Sequence, residues 1–112
     1  MGSSGRRWTV QDRYGNTIYL TQERWEHIIH AANHPEMEDY EEQIMLALKR
    51  GQRRQEPLNP RKYRYTDWFD DLPDGSNSIV VIVLFSCNVA EDGQMLPNNF
   101  VATAFLKHIR PK

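Results

Sequence analysis

Ser78-Ile-Val-Val-Ile-Val-Leu-Phe-Ser86 is the most hydrophobic run of the chain. Its unbroken β-branched series, Ile79 to Val83, suits a pleated surface better than a helix, and the run is short, so it is read as the central strand of a sheet. Downstream, Asn88 to Asn99 reads as a loop, followed by a last strand, Asn99-Phe-Val-Ala-Thr-Ala-Phe-Leu-Lys107. Strict alternation puts Phe100, Ala102, Ala104 and Leu106 on the core face and Val101, Thr103, Phe105 and Lys107 on the other. Thr103 and Lys107 then share a side, roughly 13 Å apart. Upstream, Thr66 to Asn77 is an acidic, turn-rich loop carrying Trp68 and Phe69. Before it, Arg61-Lys-Tyr-Arg-Tyr-Thr66 alternates as a strand, with Tyr63 and Tyr65 on one face and Lys62 and Arg64 on the other.

The first half of the chain predicts a hairpin and two helices. Trp8 to Asp12 and Thr17 to Leu20 flank the turn-forming group Arg13 to Asn16. Thr21 is placed to cap a helix in which Trp25, Ile28, Ile29 and Ala32 form an apolar stripe. Pro35 disfavours the α conformation at His34, which predicts a helix end near Asn33 and an extended corner at His34. A second helix follows, with Asp39 and Glu42 spaced as a capping pair, Tyr40, Ile44, Ala47 and Leu48 as its stripe, and Gly51 as its stop. The expected architecture is α+β: an N-terminal β-hairpin and two helices packed on an antiparallel sheet of about four strands. Met1 to Gly5 reads as an expression remnant, leaving one domain over 6–112.

Composition narrows the function classes. The formal net charge of the 112 residues is −1, which gives no overall attraction to nucleic acid or membrane, so any electrostatic case is local. Between Lys49 and Arg64 seven basic residues stand against Glu56 alone, a local charge of +6. No run approaches the length of a membrane span. The single cysteine, Cys87, excludes an internal disulfide and a Cys-based zinc site, favours a reducing compartment, and is read as a half-buried structural thiol.

The words Asp12-Arg-Tyr-Gly-Asn-Thr-Ile-Tyr-Leu-Thr-Gln-Glu-Arg-Trp-Glu-His-Ile28, His34-Pro-Glu-Met37 and Phe100-Val-Ala-Thr-Ala-Phe105 resemble the phage-associated branch of the barnase, EndoU, colicin and RelE-like nuclease superfamily. The resemblance runs from about residue 8 to 110. It implies a metal-independent ribonuclease, toxin-like, bacterial or phage-encoded and cytoplasmic, with no cofactor and no metal. Position by position, the family pattern falls on His27, His34, Arg64, Tyr65, Thr103 and, at the end, Lys107.

These residue types suit the reaction. Cutting RNA without a metal needs a base for the 2′-hydroxyl, an acid for the leaving 5′-oxygen, and cations for charge growing on phosphorus. His27 or His34 can move protons, Arg64 can hold a phosphate, Tyr65 can orient or stack, and Thr103 can hydrogen-bond a phosphate oxygen. Arg53, Arg54, Arg61, Lys62 and Tyr63 are the candidate RNA-binding residues. The competing readings are a catalytically inactive nuclease-fold module that binds RNA or a protein, and a metal site drawn from His27, His30 and His34 or from His34 with the acidic residues after it. A third is an interaction module using Trp68 and Phe69. The acidic loops 66–77 and 88–99 are the expected contact surface for a protein inhibitor or another protein partner. Each histidine, read alone, is an ordinary solvated side chain.

Overall fold

The computed structural model describes residues 5–110, so Met1 to Ser4 of the expected expression remnant lie outside the described residues. The hairpin forms as β1 (Arg6–Gln11) and β2 (Thr17–Thr21). Asp12 builds its turn by accepting from the backbone N–H of Tyr14 at 2.9 Å and of Asn16 at 2.8 Å. This local side-chain bonding is why Asp favours such positions. Gly15 supplies the positive φ, at 90°.

Thr21 caps α1 (Gln22–Ile28) as expected, its Oγ1 accepting from Arg24 N–H at 3.0 Å. The helix is shorter than its apolar spacing predicts, ending at Ile28 rather than near Asn33. Trp25 and Ile28 are buried, but Ala32 is exposed. Local partners satisfy the helix end without another turn: the Ile28 carbonyl accepts from His34 N–H at 2.9 Å, and the His27 carbonyl from the Asn33 side chain at 2.8 Å. Pro35 opens a 3₁₀ helix (Pro35–Tyr40) that leads into α2 (Glu41–Arg50). The Asp39 and Glu42 capping pair does not form, because Asp39 already lies in the 3₁₀ segment and Tyr40 takes the N-cap position. Ile44, Ala47 and Leu48 are buried as the stripe predicts, and Gly51 follows the last residue.

The remaining elements are β3 (Gln52–Glu56), β4 (Asn59–Trp68), β5 (Ser78–Leu84), β6 (Cys87–Val89), β7 (Met95–Pro97) and β8 (Asn99–Lys107). The main sheet has six strands, ordered β1-β2-β8-β5-β4-β3, instead of about four, because the hairpin joins it and β3 adds an edge. It is also mixed, since β2 runs parallel to β8. Such pairing needs a long crossover, which the helices and β3 to β5 supply. Buried Asn99 helps fix this junction, its Nδ2 donating to the Thr17 carbonyl at 3.1 Å and its Oδ1 accepting from Ser86 N–H at 3.3 Å. The segment expected as one loop after β5 contains the separate hairpin β6–β7, and Cys87 is exposed rather than half-buried.

The core lies on one side of the sheet, where Tyr65, Ile79, Val81, Val83, Val101 and Ala104 meet Trp25, Ile28 and the buried stripe of α2. Strict alternation fails once in β8. Ile82 pairs with Thr103 but Val83 with Val101, so Ala102 is an extra, bulged residue. The bulge sends Val101 into the core and Phe100 to the opposite face, the reverse of the expectation, while Thr103, Phe105 and Lys107 keep the face expected of them. Among the described residues no helix is long and apolar enough to cross a membrane.

Candidate nucleic-acid interface

The face of the sheet away from the core is built by register. Thr103 on β8 pairs with Ile82 on β5, Ile82 with Arg64 on β4, and Arg64 with Arg54 on β3, so the four side chains form one row across the sheet. With strands about 4.8 Å apart, Thr103 and Arg64 start from backbone positions about 10 Å apart. The next row toward the end of β8 carries Phe105, Val80, Thr66 and Gln52, and the one after it Lys107, Ser78 and Trp68. On the other side of the Thr103 row lie Phe100, Leu84 and Lys62. A groove lined by Lys62, Arg64, Ile82, Thr103 and Phe105 follows these rows.

Arg64 is already oriented: its Nε donates to Glu56 Oε2 at 3.2 Å. That bond engages Nε and leaves the two Nη groups as donors, and a guanidinium held by one edge is preorganised for an anion at the other.

His34 reaches this face from the flank, beside the part of β8 that β2 does not pair with. His34 packs on Phe105, ring centroids 5.6 Å apart, and its Nδ1 stands 3.6 Å from Glu36. His27 lines a different groove, with Tyr19, Arg24, Phe100 and Val101. Phe100 and Phe105 are separated by roughly 15 Å along β8. The two imidazoles therefore do not converge on one point. His34 sits beside the residue between Thr103 and Lys107; His27 sits at the opposite end of the face.

Tyr65 does not join them. It is completely buried on the core side, and its hydroxyl donates to Asp12 Oδ2. Burial raises the Tyr65 pKa, and the bond to Asp12 adds to the rise. Burial also pushes Asp12 upward, but bonds from Tyr65, Asn16 and Tyr14 outweigh it and hold the carboxyl below its ordinary range. Tyr65 is thus a neutral structural donor, and its assignment to the reacting centre is corrected. The same alternation divides the RNA-binding candidates. Arg54 and Lys62 face the groove, whereas Tyr63 stacks on Phe85 on the core side, with ring centroids 4.7 Å apart. Arg53 lies over the Tyr63 ring at 4.5 Å and the Tyr14 ring at 4.6 Å, and Arg61 lines a groove with Phe85 and Cys87. Arg53, Arg61 and Tyr63 therefore stand away from the Thr103 row.

Two aromatic side chains on the face, Tyr19 and Phe100, escaped the sequence reading, which placed Phe100 in the core, while Phe105 stands beside Thr103 as alternation predicts. Tyr19 and Phe100 lie 6.2 Å apart between ring centroids. The chain end was also missed. His108 and Arg110 line a groove with Arg54, Arg64 and Lys107. Of the alternatives, Phe69 packs against the core with Arg50 over its ring at 5.4 Å, while Trp68 is half exposed. Among the described residues no three His, Cys, Asp or Glu side chains are grouped to hold a metal ion, and His30 Nδ1 is occupied by Ala32 N–H at 3.1 Å. Comparison of the chain with protein-family models, curated proteins and solved structures finds no match.

Proposed function

We propose that this protein is a metal-independent endoribonuclease that cleaves single-stranded RNA across the Thr103 row, leaving a 2′,3′-cyclic phosphate. The observation that carries the reading is the register that brings Thr103, Arg64 and Lys107 onto one basic, aromatic sheet face with His34 at its flank. The residues divide the work by type. His34 takes the proton of the 2′-hydroxyl; the 2′-oxygen bonds to phosphorus as the bond from phosphorus to the 5′-oxygen breaks; that leaving oxygen takes a proton from water. Arg64 and the Thr103 hydroxyl hold the non-bridging oxygens, where charge grows in the transition state. Phe100, Phe105 and Tyr19 offer stacking surfaces for the bases, and His27 at the far end contacts a neighbouring nucleotide rather than the scissile one.

The test is incubation with total RNA in EDTA. The parent produces fragments ending in 2′,3′-cyclic phosphate. His34→Phe keeps a ring on Phe105 but removes the base, and lowers the rate by about 10²- to 10⁴-fold. Thr103→Val keeps the β-branched strand residue and loses about tenfold.

The second reading is a sheet that binds RNA without cutting it, and the half-buried aromatics of the face favour it, because RNA-binding sheets use such rings as platforms. Under it the parent binds a labelled oligonucleotide, leaves it intact, and is indifferent to His34→Phe.

A further inference from the structure

Resting on the reading of this face as an RNA surface, we infer that the groove between Thr66 and the chain end is a second phosphate subsite, taking the backbone one or more nucleotides beyond the phosphate at Thr103. Arg54, Arg64, Lys107, His108 and Arg110 line it, and no acidic side chain does. Among the described residues, Arg54, Lys107 and Arg110 take part in no ion pair, so their charge is available to a ligand.

The groove is held by its own hydrogen bonds. Past the end of β8 the backbone would be expected to fray, yet Asn77 clamps it from both sides: its Nδ2 donates to the Ile109 carbonyl and its Oδ1 accepts from Ile109 N–H, each at 2.9 Å. Asn77 N–H donates to the Lys107 carbonyl at 3.0 Å, Ser78 Oγ donates to the same carbonyl at 2.9 Å, and His108 Nδ1 meets the Gly75 carbonyl at 3.0 Å. These contacts bring Arg110 to the groove that Arg54 and Arg64 line from the sheet. The clamp explains why the turn-rich segment before β5 carries Asn77.

The groove is also continuous with the proposed centre. Arg64 lines both this groove and the one at Thr103. Lys107 lies four residues from Thr103 on the same face, roughly 13 Å, which is about two phosphate spacings of an extended strand. Half-exposed Trp68, in register with Ser78 and Lys107, stands at its rim as a stacking surface for the base that this phosphate carries. A single strand fits these features better than a duplex, because bases must be splayed to reach a ring.

The test uses the whole chain and a labelled hexanucleotide with 2′-O-methyl groups throughout, which binds but cannot be cut. Its affinity is measured against salt concentration by fluorescence anisotropy. Arg110→Ala weakens binding about five-fold and lowers the slope of log affinity against log salt by about 0.7, the signature of one lost phosphate contact on a single strand. Arg110→Lys restores the slope. Inorganic phosphate at matched ionic strength does not displace the oligonucleotide; displacement would assign the groove to free phosphate and overturn the inference. An unchanged slope in Arg110→Ala would overturn it as well. Cleavage separates this result from the fate of the ribonuclease reading: Arg110→Ala cuts a dinucleotide at the parental rate but has about a five-fold higher KM for an all-ribose hexanucleotide. A parent that cuts neither substrate removes the nuclease and leaves the binding measurement to decide the subsite.

Discussion

Asp12 and Tyr65 show how one pair of side chains joins the ends of the fold. Asp12 closes the β1–β2 turn, and Tyr65 carries that turn across the core to β4. Every polar atom in the arrangement has a partner, so the cost of burying a carboxylate is offset by bonds that favour its charged form. Tyr65→Phe removes one donor while the others remain. Urea unfolding is expected to show a loss of about 1 to 3 kcal/mol, with the cleavage rate per folded molecule unchanged because the hydroxyl faces away from the groove. The pH dependence follows from the same bonds. Asp12 and Glu41 are both held below their ordinary values, 3.8 and 4.5, Glu41 chiefly by the hydrogen bond from Arg7. Their contribution is complete above those values and is lost as pH falls through them toward the lower folded values. Tyr65 is raised above 10.0, so its contribution is complete below that pH and lost as pH climbs past it. Urea midpoints across pH should therefore fall at both extremes, and Tyr65→Phe should flatten the alkaline limb.

At the scale of elements, Gly51 is the tightest joint. A β-carbon there would lie 2.7 Å from the Thr66 carbonyl oxygen and closer still to that of Ala47, both of them backbone atoms that cannot step aside. Gly51 lets α2 end directly against β4. Gly51→Ala is expected to destabilise by about 2 to 4 kcal/mol in thermal or urea unfolding. The elements most legible in the sequence were those with an unambiguous period or a local cap: β5 from its β-branched run, the α2 stripe, the Thr21 cap and the turn at Asp12. The failures have physical causes. The strand β3, Gln-Arg-Arg-Gln-Glu, has no apolar alternation, and its Arg53 packs as a cation over Tyr14 and Tyr63 where a hydrophobic residue would have been visible. The end of α1 was misplaced because Ala32 continues the spacing while the His34 and Asn33 bonds close the helix earlier. The bulge at Ala102 leaves no mark in composition, yet it decides which faces Phe100 and Val101 take.

The whole molecule separates stability from the proposed chemistry by the two faces of one sheet. Alternation in β4 sends Tyr63 and Tyr65 to the core and Lys62 and Arg64 to the groove, so the basic segment divides between the two sides. Alternation places Arg64 and Thr103 on the faces of their strands, but that they share a row depends on long-range register, which no local pattern carries. The separation of His27 from His34 is likewise visible only once each meets a different end of β8. A net charge of −1 is compatible with an RNA surface in this arrangement, since Arg54, Arg64, Lys107 and Arg110 line one groove that no acidic side chain lines.

The most direct measurement uses a DNA oligonucleotide containing a single ribonucleotide, incubated with the protein in EDTA, with the product ends identified by mass spectrometry. One cut is expected, immediately 3′ of the ribonucleotide, leaving a 2′,3′-cyclic phosphate, and it is lost in His34→Phe with the fold intact. Cutting at deoxynucleotides, cutting that requires an added metal ion, or a His34→Phe protein as active as the parent would contradict the proposed cleavage.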